Sequence, residues 1–200
     1  VSEYLWGEIG EGQPAPELCV PMSLSETLRY GENPHQPAAV YTDDSLSESS
    51  GMGVGRAKQH HGKEMSYNNY LDAEAAFSCV SDFPAEDPTC VIVKHTNPCG
   101  VASASGSDGD ILEAYRQAVR ADPISAFGGI VAFNCEFTEE MARELREFRS
   151  PTDDETRMFY EIVIAPSYTK EGLEVLKGKS KNLRILEANP RTPSSTLRQV

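Results

Sequence analysis

Four short apolar runs, separated by stretches with helical spacing, constrain this 200-residue chain more than any other feature. They are Cys90–Val93, Ile130–Phe133, Phe159–Ile164 and Leu183–Leu186. Cys90–Val93 is β-branched and reads as a strand buried on both faces, and the other three are short enough to be strands as well. Between them the period changes. Asn69 is placed to cap a helix running to about Phe83, with Asp72 as a box-like partner and Leu71, Ala75, Ala76, Cys79, Val80 and Phe83 on its apolar side. Asp108 or Asp110 starts a second helix, with Ile111, Leu112, Tyr115, Ala118 and Val119 on one face, and Pro123 stops it. Thr138 caps a third, with Met141, Leu145 and Phe148 facing inward, and Thr169 caps a short one closed by Gly178. Strands alternating with helices predict an α/β layered domain with a largely parallel sheet. A further short strand is expected over Ala38–Tyr41, and a loop over Asp43–Gly55.

The net charge of −13 leaves no basic stripe to neutralise phosphates, which argues against a nucleic-acid partner. No apolar run approaches the ~20 residues that span a bilayer, so no membrane partner is expected. Five cysteines, at 19, 79, 90, 99 and 135, form no C-x-x-C pair. Neither a zinc knuckle nor a disulfide framework is indicated, and a reducing compartment fits. Cys79 and Cys90 read as small buried hydrophobes. Residues 1–22, with glycines and prolines and little periodicity, read as a linker from an upstream domain. The chain opens on Val1 and stops at Val200 without a closing element, and reads as a fragment.

The chemistry gathers around VIVKHTNPCGV, residues 91–101. A buried strand ends in Lys94-His95, a cation beside a residue type that titrates near neutrality. Asn97-Pro98 and Gly100 then read as a turn. Delivering polar groups at the carboxyl end of a buried strand is how open α/β sheets build sites. The plainer alternative is a strand that surfaces with two solvated side chains. On a regular strand Lys94 and His95 would point to opposite faces, so both serve one cleft only if the strand breaks there. A histidine there can take a proton from an amine, and an ammonium can hold a developing oxyanion or a carboxylate. In LRYGENPHQ, residues 28–36, Arg29 offers a planar fork to a phosphate, against the alternative of a plain surface turn. Gly128 and Gly129 permit close backbone approach to either a neighbouring strand or a ligand. His60-His61 lacks metal-ligand spacing. Pro98-Cys99 could open a deaminase P-C-x-x-C, but Ala102 stands at the second cysteine position and no H-x-E occurs, so no zinc is expected. No Walker loop, G-x-G-x-x-G or G-x-S-x-G is present either.

Four blocks in order, LRYGENPHQ (28–36), GKEMSYNNYLDAEAA (62–76), VIVKHTNPCGVA (91–102) and AYRQAVRADPISAFGGIVAFN (114–134), with a weaker EIVIAPSY (161–168), carry a resemblance. The chain resembles the formyltransferase domain of the bifunctional AICAR transformylase/IMP cyclohydrolase family of purine biosynthesis. The resemblance implies a cytidine-deaminase-like layered sheet with flanking helices and no zinc. Residues 23–200 would be the first half of a duplicated transformylase domain. It implies formyl transfer from 10-formyltetrahydrofolate, the cosubstrate, to the 5-amino group of AICAR, giving FAICAR. Lys94 and His95 match the catalytic pair, His95 as proton acceptor and Lys94 as stabiliser of the tetrahedral intermediate or helper of the leaving nitrogen. Arg29 and Tyr30 match AICAR-binding positions, Arg29 on the phosphate side. Phe127 and Gly128 match a backbone contact to substrate, Glu161 an acid near the aminoimidazole, and Ser66 and Asn97 weaker substrate positions. The family's homodimers, with a cytoplasmic or plastid location, imply that a second half and a partner subunit complete each site. On that basis this piece is expected to hold a half-site and turn over poorly. The alternative is a catalytically silent AICAR-binding or dimerisation module.

Overall fold

A computed structural model describes residues 22–43, 53–104 and 110–189. The lead-in over 1–21, with Cys19, and most of the loop expected over 43–55 lie outside these residues, as does Asp108. Eight strands are described: β1 Ser23–Leu28, β2 Ala38–Thr42, β3 Lys58–His61, β4 Thr89–Lys94, β5 Asn97–Ser103, β6 Gly129–Phe133, β7 Tyr160–Ala165 and β8 Arg184–Glu187. The helices are α1 Tyr67–Ser81, α2 Ile111–Ala121, α3 Pro123–Ala126, α4 Glu139–Glu147 and α5 Lys170–Lys177.

β1 and β2 form an antiparallel ribbon, and the other six strands form one sheet in the order β3-β8-β7-β6-β4-β5. Alternate residues of its central strands feed two cores. On one face Val91, Val93, Ile130, Ala132, Ile162 and Ile164 pack with Ala73, Ala76, Phe77 and Val80 of α1. On the other, Cys90, Ile92, Val131, Phe133 and Val163 pack with Tyr115 and Ala118 of α2, Met141 and Leu145 of α4, and Leu176 of α5. The runs are thus buried on both faces apart from Phe159 and Glu161, which reach the surface at the start of the third.

The sheet is mixed rather than largely parallel. Only β6-β7 and β7-β8 pair in parallel, whereas β4 is antiparallel to both neighbours and β3 is antiparallel to β8. The reason is local. His95 and Thr96 both take positive φ, 56° and 61°, and make the two-residue reversal that folds β5 back along β4. Asn97, Pro98 and Gly100, expected as the turn, are strand residues of β5. Gly100 is instead a point of close packing, where a Cβ would stand 1.9 Å from the Ala118 carbonyl oxygen of α2.

Two helix boundaries also move. Ser66, not Asn69, caps α1, accepting the Asn69 amide while the Asn69 side chain accepts the Ser66 amide. Pro123 does not merely end α2; it opens α3, at a position where its missing N–H costs nothing. Asp110 caps α2, Thr138 α4 and Thr169 α5. Cys90 is fully buried, but Cys79 only partly.

Candidate active site

The register places one set of strand ends along a single edge of the sheet. The carboxyl end of β4 meets the amino ends of β6, β7 and β8, because Val93 faces Ile130, Gly129 faces Tyr160 and Ile162 faces Arg184. The edge carrying Lys94 is therefore the amino-terminal edge of the parallel strands, the reverse of the usual α/β arrangement.

Lys94 is the last residue of β4, and its ammonium donates to the Phe127 carbonyl across the edge at 2.7 Å. An ammonium has three N–H donors, so among the described residues two remain for other acceptors. Phe127 closes α3, and Gly128 follows with φ 78°, a conformation that penalises any side chain. A Cβ on Gly128 would lie 3.9 Å from Lys94 Nζ, so the glycine also leaves the space beside the ammonium clear. Gly129 answers a different need, since a Cβ there would sit 2.9 Å from the Val93 carbonyl of the neighbouring strand. The rings of Phe127 and Phe159, tilted with centroids 5.9 Å apart, are both exposed, and Phe159 Cδ1 would lie 3.8 Å from a Cβ on Gly128.

His95 is exposed on the reversal itself, so the strand does break between Lys94 and His95. Thr96 is β-branched, and a positive φ there costs on the order of 1–3 kcal/mol. Three hydrogen bonds hold the reversal: Thr96 Oγ1 and Asn97 Nδ2 donate to the His95 carbonyl, each at 2.7 Å, and the Thr96 amide donates to Asp72 Oδ1 at 2.7 Å. Asn97 thus supports the turn from within.

Two strands beyond β6 along the edge lies a second assembly. A cleft of about 380 Å³ is lined by Arg29, Tyr30, Lys63, Glu64, Met65, Ser66 and Arg184. Arg29 and Tyr30 follow β1, with the guanidinium 5.7 Å from the Tyr30 ring centroid. Arg29 has no carboxylate partner among the described residues, which leaves its fork available to an anion. Ser66 contributes at the cap of α1, where its oxygen already accepts the Asn69 amide. Glu161 reaches the assembly through Arg184, whose Nη1 donates to Glu161 Oε2 at 2.9 Å while its Nε donates to the Glu64 carbonyl at 3.0 Å. From β8 to β4 is three strand spacings, roughly 14 Å.

The expected residues therefore fall into two groups on one edge: Lys94, Asn97, Phe127 and Gly128 with exposed His95, and Arg29, Tyr30, Ser66 and Glu161. Sequence reasoning passed over Arg184, Lys63 and the turn contact of Asp72. Arg184 had a signal, being a cation set inside an apolar strand run. His60 and His61 turn to different partners, His60 to Glu187 at 2.8 Å and His61 to the Ser180 carbonyl at 3.1 Å. No group of three or more metal-ligating side chains occurs among the described residues.

Comparison with known proteins gives this arrangement a context. The chain is 48% identical over 189 residues to the bifunctional purine biosynthesis protein PurH of Bacillus cereus strain AH187. It has the same identity to the PurH proteins of Bacillus anthracis strain CDC 684 and Bacillus cytotoxicus. Each match covers 94% of this chain and 33% of the relative, so the chain spans about a third of the length of these proteins. A solved structure provisionally identified as a formate dehydrogenase accessory protein from Desulfotalea psychrophila aligns with TM-score 0.39 and 12% identity, over 60% of this chain and 52% of that one. That likeness is too slight to carry an argument. The sequence model described as "AICARFT/IMPCHase bienzyme" matches residues 1–200, and the chain belongs to that family.

Proposed function

We propose that this chain carries the nucleotide side and the Lys-His pair of an AICAR formyltransferase site, working within a longer bifunctional protein of purine biosynthesis. Family membership supports the reaction class. The observation that carries the placement is the shared sheet edge, which sets a donor-rich ammonium at one end and, at the other, a guanidinium with no carboxylate partner among the described residues. Arg29 takes the phosphate of AICAR, with Tyr30, Ser66 and the Arg184–Glu161 pair along the nucleotide, Glu161 toward the aminoimidazole. Phe127 and the open space at Gly128 border the reacting end.

The 5-amino nitrogen attacks the formyl carbon of 10-formyltetrahydrofolate, and a new C–N bond forms. The amine proton passes to His95. The free donors of Lys94 oppose the oxyanion, and the bond from the formyl carbon to the folate nitrogen breaks as that nitrogen regains a proton, which Lys94 assists. Folate and homodimer contacts are assigned to the full-length protein. The six-stranded sheet is the first of two cytidine-deaminase-like units in this reading, without zinc.

Titration calorimetry of AICAR into this chain, with Arg29→Ala as control, tests the nucleotide side. Binding weakened by about tenfold or more in Arg29→Ala is expected. In the full-length protein, Lys94→Ala and His95→Ala should each lower kcat about a hundredfold or more while AICAR binding stays within about threefold. Full activity of both variants would overturn the catalytic assignment and leave a silent AICAR-binding module.

A further inference from the structure

We propose that Asp72 is a positioning residue for the Lys94–His95 pair, its carboxylate fixing the strained reversal on which His95 stands. The proposal rests on the reading of Lys94 and His95 given above.

The reversal needs two successive residues with positive φ, and the chain supplies His95 and Thr96 where Asn-Gly or Gly-Gly is favoured. Histidine is among the non-glycine residues that tolerate positive φ, but the β-branched Thr96 opposes it. Two of the supporting hydrogen bonds, from Thr96 Oγ1 and Asn97 Nδ2 to the His95 carbonyl, lie within the hairpin and move with it. Among the described residues, the hydrogen bond that ties the turn to the rest of the fold is Asp72 Oδ1 accepting the Thr96 amide at 2.7 Å. A carboxylate acceptor makes this one of the stronger kinds of hydrogen bond.

Asp72 is well founded for that task. It sits in the second turn of α1, next to Ala73, and Ala73, Ala76, Phe77 and Val80 anchor the helix in the core beneath the sheet. Helix capping does not use it, because Ser66 and Asn69 complete the box. Lys94 is fixed independently by the Phe127 carbonyl. Asp72 therefore sets where His95 stands relative to an ammonium that is already held. Without it the turn can relax toward negative φ and swing the imidazole away from its neighbour.

The test uses the full-length protein with Asp72→Ala, Asp72→Asn and Asp72→Ala combined with Thr96→Gly, read by steady-state kinetics and by amide hydrogen exchange at Thr96. Asp72→Ala should speed exchange at Thr96 and lower kcat about tenfold or more, with KM for AICAR within about twofold. Asparagine keeps an acceptor oxygen, so Asp72→Asn should hold kcat within about threefold of wild type. Glycine adopts positive φ without strain, so Thr96→Gly should recover part of the rate lost in Asp72→Ala. Unchanged exchange in Asp72→Ala would overturn the clamp whatever the catalytic outcome. Faster exchange with unchanged kcat, or equal losses in the alanine and asparagine variants, would overturn the positioning role. If His95→Ala keeps full activity, the catalytic reading falls, and Thr96 exchange still decides whether Asp72 holds the turn.

Discussion

Arg184 shows how one side chain can serve both fold and site. It is almost fully buried, yet it sits in the cleft wall and holds Glu161, whose own side chain is 44% exposed. Removing the buried partner should cost more than neutralising the exposed one. Arg184→Met is expected to lower stability by about 1–3 kcal/mol and to weaken AICAR binding, whereas Glu161→Gln should cost under about 1 kcal/mol. Urea denaturation and calorimetry on the two variants check this. Lys179 offers a second test at this scale. Burial, followed by repulsion from Arg157, lowers its pKa to about 8, although its ammonium donates to the Leu145 carbonyl at 2.8 Å. Between pH of about 8 and the ordinary lysine value, the unfolded chain binds a proton that the folded chain has released, so stability rises with pH across that window. Below it both states are protonated and the folded state bears the cost. Lys179→Met should flatten the rise, seen by comparing urea midpoints near pH 7 and near pH 10. The composition and spacing of neighbouring residues contain no trace of Lys179's burial, because the residues that enclose it come from α4, β7 and the end of α5.

At the scale of elements, sequence pattern and structure agree most closely where one period dominates. The runs around β4, β6, β7 and β8 and the caps at Asp110, Thr138 and Thr169 follow directly from local residue choice. β5 was hidden because Asn, Pro and Gly open it, and these residues favour turns when judged locally. Pairing with β4 and packing under α2 override that preference. Gly100 is the point where the override is tightest. Gly100→Ala would drive a methyl into the Ala118 carbonyl of α2, and is expected to destabilise the protein by about 1–3 kcal/mol. A thermal-denaturation midpoint equal to that of the native protein would show that β5 and α2 separate more readily than their packing implies.

Across the whole molecule, the Arg29–Tyr30 loop belongs to the β1–β2 ribbon, yet it lines a cleft with residues of the main sheet. One link between the two is the Tyr70 hydroxyl of α1 donating to Glu26 Oε2 of β1 at 2.7 Å. Tyr70→Phe removes that link with little change in volume, and should weaken AICAR binding about three- to tenfold while leaving Thr96 exchange unaltered. Calorimetry and hydrogen exchange on the same variant separate a general loosening from a local one. By itself, the sequence determined the alternation of strands and helices, most caps, the family and the residue types available for chemistry. Those are properties of short windows and of matched motifs. Only the tertiary structure decided the mixed sheet, the edge on which Lys94 emerges, the pairing of Glu161 with Arg184 and the hold of Asp72 on Thr96. The last two join groups that are 23 and 24 residues apart in the chain, and the sense of the sheet depends on β4 pairing with β6 as well as with β5. Local propensity cannot encode such contacts. They arise from pairing: the reversal at His95-Thr96 lays β5 along β4 and sets Thr96 against α1, while the parallel pairing of β7 with β8 brings Glu161 to Arg184.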